Sequence, residues 1–336
     1  MATPGGGARA GDLPALSQMA DGSTVDLGTS GVLHIYTARL PSGGLPRRDA
    51  VVSALIAIHG FPRDANRTLG AAALAAKRAG RESDTIAVAP LFQVSAAGRC
   101  EFPGNPGAQP GDAVWTCDSW LDGGAAEGAG PTSFGAMDLL VADLARRWPH
   151  LRTITVAGFS AGAQFVQRYI GFARPAVRLR YVVSDPGTWL YFDPERPVPR
   201  AGAWGRCRDA ACDFTWRGAG TACSQANRWK YGTEGLPAVL GSSADAARAR
   251  YAAADITYLE GALDAGRRPD TYYGLLDKSC AAELQGPDRL HRGLAYAAYD
   301  RRFLSADHTL AIVPGCAHEV TCVFPSPTAR AALFAH

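Results

Sequence analysis

The chain has 336 residues, 47% of them hydrophobic, and a formal net charge of +3. That is ample apolar material for a large core, and positive charge too sparse and scattered to form a nucleic-acid stripe. No apolar run approaches the length of a membrane span, so no membrane span is expected.

Residues 1–30 are rich in Gly, Ala and Ser and lack periodicity, which predicts a flexible lead-in followed by a single domain over residues 31–336. Met1–Gly7 has neither the basic nor the apolar region of a secretory signal. Val32–Tyr36 alternates like an early strand. Val51–Ile58 is a nearly continuous apolar run, suited to a parallel strand covered on both faces, and it ends in His59-Gly60-Phe61-Pro62-Arg63-Asp64. Leu69–Gly80 reads as a helix and Asp84–Leu91 as the next buried strand. Gln93–Pro131 is irregular, with Cys100 and Cys117 placed to staple it. Thr132–Arg147 places Met137, Leu140, Val141 and Leu144 on one helical face.

The central feature comes next. Arg152–Ala157 reads as a strand and Ala161–Phe172 as a helix, and between them stands Gly158-Phe159-Ser160-Ala161-Gly162. A serine on so sharp a turn needs small neighbours. The turn lifts its hydroxyl above the sheet at a helix start, where backbone N–H groups face a developing oxyanion. Leu179–Ser184 is another strand, ending at Asp185. From about 189 to 250 the alternation of strand and helix breaks down into an insertion carrying Trp189, Trp204, Trp216 and Trp229. Asp255–Leu259 and Thr309–Val313 are the last strands, with helical segments over about 275–303 and from Thr328 onward. The order predicts a doubly wound, mostly parallel α/β sheet with a disulfide-stapled insertion, or lid, after the sixth strand of the fold.

A serine hydroxyl needs a base within hydrogen-bond reach. His318 follows the last strand, on the sheet edge where Ser160 also stands. The base needs a carboxylate to fix its tautomer. Asp264 follows the Asp255–Leu259 strand, and Asp185 and Glu260 are rivals at nearby strand ends. Asp264 gives the order Ser–Asp–His. The oxyanion donors are expected from the N–H of Ala161 and of Phe61, since Pro62 has none to offer. Trp189 and Trp229 are candidates for a substrate wall, with packing of the insertion as the alternative. The eight cysteines, Cys100, Cys117, Cys207, Cys212, Cys223, Cys280, Cys316 and Cys322, contain no C-x-x-C. They point to disulfides and a secreted or periplasmic protein, with local pairs Cys100–Cys117, Cys207–Cys212 and Cys316–Cys322 leaving Cys223 with Cys280. No metal-ligand spacing, P-loop or G-x-G-x-x-G follows a strand, so no metal or cofactor is expected.

From Val51 to His336 the chain resembles the α/β-hydrolase superfamily. More narrowly it is similar to a secreted bacterial and fungal group of serine hydrolases of poorly assigned substrate, of the esterase and depolymerase type. The resemblance rests on His59–Asp64, Ala157–Gly162, Arg228-Trp229-Lys230-Tyr231-Gly232, Tyr258–Gly261 leading to Asp264, and Gln285–Leu290. It implies the fold, secretion, structural disulfides and Ser160, Asp264 and His318 as a catalytic triad. Two positions depart from the group, which often has His where Phe159 stands and Gly where Ala163 stands. The expected activity is hydrolysis of a small-molecule or polymeric carboxylic ester. The alternatives are hydrolysis of a peptide or a ketone-adjacent C–C bond, and a non-catalytic binding module on the same fold.

Overall fold

The computed structural model describes residues 20–95, 100, 104–200, 202–209 and 211–334. Its central sheet has eight strands: β1 (Ala20–Asp26), β2 (Val32–Ala38), β3 (Ser53–Ile58), β4 (Thr85–Leu91), β5 (Thr153–Phe159), β6 (Leu179–Ser184), β7 (Asp255–Gly261) and β8 (Thr309–Val313). They lie side by side in the order β1-β2-β4-β3-β5-β6-β7-β8. Every pair from β4 to β8 is parallel, while β2 runs antiparallel to both β1 and β4.

Successive side chains of β3 alternate between two buried layers. Ala54, Ile56 and Ile58 join one core and Leu55 and Ala57 the other, so the strand reads as an unbroken apolar run. Helices α1 (Ala65–Arg78) and α6 (Pro327–Leu333) cover the second layer. Helices α2 (Ser133–Arg147), α3 (Ala161–Phe172), α4 (Ala244–Ala252) and α5 (Arg289–Phe303) lie on the first. Thr132 and Asp288 cap α2 and α5 by accepting from the N–H groups of Gly135 and His291. Within α3, Phe165, Val166 and Ile170 are buried. Each contributes about 1.5–3 kcal/mol by that burial, which anchors the helix whose first turn follows Ser160.

Three features depart from the sequence reading. The expected lead-in over residues 1–30 contains β1, paired with β2 from Ala20↔Ala38 to Asp26↔Val32. It is an edge strand whose inward residues are Ala20 and Val25, too few to stand out in a polar stretch. The first nineteen residues of that lead-in lie outside the described residues. Helix α1 begins at Ala65, four residues before the apolar signal starts. The insertion also carries more order than its sequence suggests, with helix α4 and a hairpin of Glu195–Pro199 against Phe214–Gly218. Cys207 and Phe214 pack on Leu290, Leu294 and Ala295, so this hairpin sits on α5.

All eight cysteines are paired, as Cys100–Cys117, Cys207–Cys212, Cys223–Cys280 and Cys316–Cys322. The third ties the insertion to the helical turn Cys280–Glu283. Among the described residues no helix is long and apolar enough to cross a membrane.

Candidate active site

The turn from β5 into α3 is forced by close approach. A Cβ on Gly158 would run into the Gly162 carbonyl, and one on Gly162 into the carbonyl oxygens of Ile58 and His59. The end of β3 is therefore pressed against the first turn of α3. Ser160 pays for this geometry with a left-handed φ of 58°. Its N–H donates to the Ser184 carbonyl at 3.0 Å. Its side chain does not cap α3, which leaves the hydroxyl for another partner.

That partner is His318. Ser160 Oγ lies 2.8 Å from His318 Nε2, and His318 Nδ1 lies 2.7 Å from Asp264 Oδ2. With Nδ1–H donating to the carboxylate, Nε2 is left to accept the serine proton. Burial, reinforced by the Arg289 guanidinium, holds the His318 pKa well below the usual histidine range, against the carboxylates of Asp185 and Glu319. A pKa held this low favours the neutral ring, whose free Nε2 lone pair can accept a proton. Phe159 stacks on it at 4.7 Å between centroids, and Tyr272 meets its edge at 6.1 Å. Phe159 thus walls one face of the His318 ring. Cys316 and Cys322 bracket the loop that carries His318.

The acid side is a buried cluster. Asp185, Glu260 and Asp264 are each at most 1% exposed. Burial pushes Asp264 up to about 7, with Arg289 opposing it from 3.7 Å. Asp185 is raised to about 7 by burial and by the Asp264 charge. Its Oδ1 accepts from the Gly261 N–H at 2.6 Å and its Oδ2 from the Ser184 hydroxyl at 2.8 Å. Glu260 is raised well above the carboxylate range, by burial first and then by Asp185 and Asp264. Neither of its oxygens has a hydrogen-bond partner, and its carboxyl packs where Gly293 leaves α5 without a side chain. Asp264 is the carboxylate in contact with His318; the rivals Asp185 and Glu260 stand behind it.

The loop after β3 is fixed from several directions. Asp64 Oδ1 accepts the Gly60 N–H at 2.8 Å, and the Arg63 N–H donates to the Gly60 carbonyl. His59 is fully buried against Trp120 and Phe92, with burial pulling its pKa down to about 3. Its Nδ1 bonds the Gly60 carbonyl at 2.9 Å, so it holds backbone. Arg63 reaches the Cys100 carbonyl, the Phe92 carbonyl and Gln93 Oε1, and Asn105 donates to the Arg63 carbonyl. The stapled segment thereby braces the loop carrying Phe61. Ala161 opens α3, where the first N–H groups have no intrahelical acceptor.

The structure brings Ser160, His318 and Asp264 into one hydrogen-bonded line and sets the Phe61 loop beside the first turn of α3. It does not bring the two candidate wall tryptophans there. Trp189 is fully buried and stacks on Tyr296 at 4.3 Å, in a core that its place in an irregular stretch concealed. Trp229 packs on Phe172 at the far end of α3, about 18 Å along the helix from Ser160 at 1.5 Å per residue. Sequence reasoning missed Arg289, Arg63 and Tyr272. A left-handed backbone marks four residues at this edge, Arg63, Ser160, Asp185 and Tyr272, out of five non-glycine cases among the described residues. Strain of this kind concentrates at functional sites and leaves no sequence trace.

No family model and no curated protein matches the chain by sequence. Solved structures do match in fold. Poly(aspartic acid) hydrolase-1 from Sphingomonas sp. KT-1 superposes with a TM-score of 0.57 at 18% identity, over 90% of this chain and 94% of that one. A poly(3-hydroxybutyrate) depolymerase from Bordetella parapertussis gives a TM-score of 0.57 at 18% identity, over 90% and 86%. With the sheet order above, these likenesses identify the architecture: the chain has the α/β-hydrolase fold.

Proposed function

We propose that the protein is a serine hydrolase of carboxylic esters, working through an acyl-enzyme. The observation that carries this reading is the line from Ser160 Oγ through His318 to Asp264, at 2.8 and 2.7 Å, on a strained turn at the head of α3. Ser160 Oγ attacks the ester carbonyl carbon while its proton passes to His318 Nε2. Asp264 keeps Nδ1 protonated and stabilises the imidazolium. The N–H groups of Ala161 and Phe61 hold the oxyanion. The tetrahedral intermediate collapses, the C–O bond to the alcohol breaks, and the alkoxide takes the proton from Nε2. Water then gives its proton to Nε2, attacks the acyl carbon and releases the acid, and Ser160 regains its proton.

The substrate is a small-molecule or polymeric ester. Both fold neighbours described above are named for polymer hydrolysis, and the rim near His318 exposes Leu263, Tyr272 and Leu275, the last 76% exposed. Four disulfides support a secreted or periplasmic location. The test is labelling by a fluorophosphonate probe together with hydrolysis of p-nitrophenyl esters. Ser160→Ala is expected to abolish both with an unchanged melting temperature. Full-rate hydrolysis by that variant ends the reading.

A further inference from the structure

Gln164 lies in the first turn of α3, half-buried, and its N–H donates to the Ser160 carbonyl at 3.1 Å. Its acceptor oxygen is held by two donors. The Thr188 hydroxyl donates to Oε1 at 2.6 Å and Arg168 Nη2 at 3.3 Å. A guanidinium only donates, so the side facing Arg168 must be the oxygen and the amide cannot flip. Arg168 is itself fixed: it is fully buried, bonds Asp122 Oδ1 at 2.9 Å through Nη1, and reaches Thr188 Oγ at 3.1 Å through Nη2. Thr188 is buried too, and its neighbour Trp189 is clamped by Gln285 through both backbone groups.

The other end of the Gln164 amide is spare. Nε2 donates to nothing among the described residues and faces Gly187, where a Cβ would sit 3.2 Å away. Gly187 follows β6, whose end is bonded to the Ser160 N–H. A buried arginine, a buried threonine and a carboxylate therefore orient one neutral N–H donor group at Gly187, in the loop that follows β6.

We propose that Gln164 Nε2 is a substrate-recognition donor that binds a second carbonyl in the substrate, on the acyl unit next to the scissile ester. The substrate class is then an oligoester rather than a simple monoester, and this rests on the ester-hydrolase reading above. The spacing agrees. Four helical residues rise about 6 Å, and an extended chain covers that in four or five bonds at about 1.2 Å each, which is the carbonyl-to-carbonyl repeat of a short hydroxyacyl chain.

The experiment compares kcat/KM on two esters, the linear trimer of 3-hydroxybutanoate and ethyl butanoate, in the wild type, Gln164→Glu and Gln164→Met. Gln164→Glu keeps the acceptor that Thr188 and Arg168 need and removes the donor. Gln164→Met removes both. One neutral hydrogen bond corresponds to about a three- to tenfold preference. Both variants are expected to lose at least that factor on the trimer relative to ethyl butanoate, so the ratio of the two kcat/KM values falls. An unchanged ratio in both variants overturns the proposal. So does an equal loss on both esters by Gln164→Met with none by Gln164→Glu, which marks a purely structural role. If the wild type cleaves neither ester, the ester reading fails and this inference with it.

Discussion

Glu260 gives the sharpest quantitative expectation. It is completely buried, neither oxygen is hydrogen-bonded, and burial with two neighbouring carboxylates holds its pKa far above that of an unfolded glutamate. The folded state therefore binds a proton that the unfolded chain releases above about pH 4.3. A raised carboxyl pKa gives stability that is complete below the unfolded value and is lost as pH climbs toward the folded one. The loss is about 1.4 kcal/mol per pH unit while the folded carboxyl keeps its proton. Glu260→Gln keeps the shape and has no proton to lose. Asp185 and Asp264 are common to both proteins, so their contributions largely cancel in the difference. The stability of the variant relative to the wild type is expected to climb with pH above the unfolded value, by about 1.4 kcal/mol per unit for as long as the folded carboxyl keeps its proton, on top of a constant offset from burying the amide. Urea unfolding at four pH values measures it. Parallel curves for the two proteins would refute the argument that this carboxyl is buried protonated.

Two further expectations concern the chemistry and its supports. The acid limb of kcat/KM is expected below the usual histidine range, because burial and Arg289 depress His318. Arg289→Gln removes a cation that lowers the pKa of both His318 and Asp264, so the limb should move to higher pH; a limb that stays or moves down refutes the assignment. The double change Cys100→Ser with Cys117→Ser opens a bridge of sequence separation 17 and should cost about 3 kcal/mol by chain entropy. It should also lower kcat, since the Cys100 carbonyl braces Arg63 in the loop carrying Phe61; breaking Cys207–Cys212 should leave kcat unchanged.

Much of the sheet is legible in the sequence because its inner strands are buried on both faces. The reading places Leu179–Ser184, Thr309–Val313 and helix Ala161–Phe172 at their observed bounds. The Ser160, Asp264 and His318 positions are readable because parallel topology gathers strand ends on one edge. Packing chemistry is not readable in this way. Trp189 reads as a substrate-wall candidate or as packing of the insertion, and the stacking that holds it in the core is on Tyr296, a residue over a hundred positions away in sequence. Arg289 opens a helix with no local reason to face Asp264, and its role exists only once β7 and α5 are packed. β1 is nearly silent because an edge strand needs few inward residues.

The disulfide connectivity has a consequence for how this protein is made. In chain order each cysteine is bonded to its immediate neighbour: first with second, third with fourth, fifth with sixth, seventh with eighth. Of the 105 pairings that eight thiols allow, this is the one in which an emerging chain can close each bridge before the next thiol appears. The longest wait is the 57 residues from Cys223 to Cys280, and no bond has to be broken for a later one to form. A chain delivered N-terminus first into an oxidising compartment can therefore reach its native pairing by simple oxidation in order of arrival, without an isomerase to correct it.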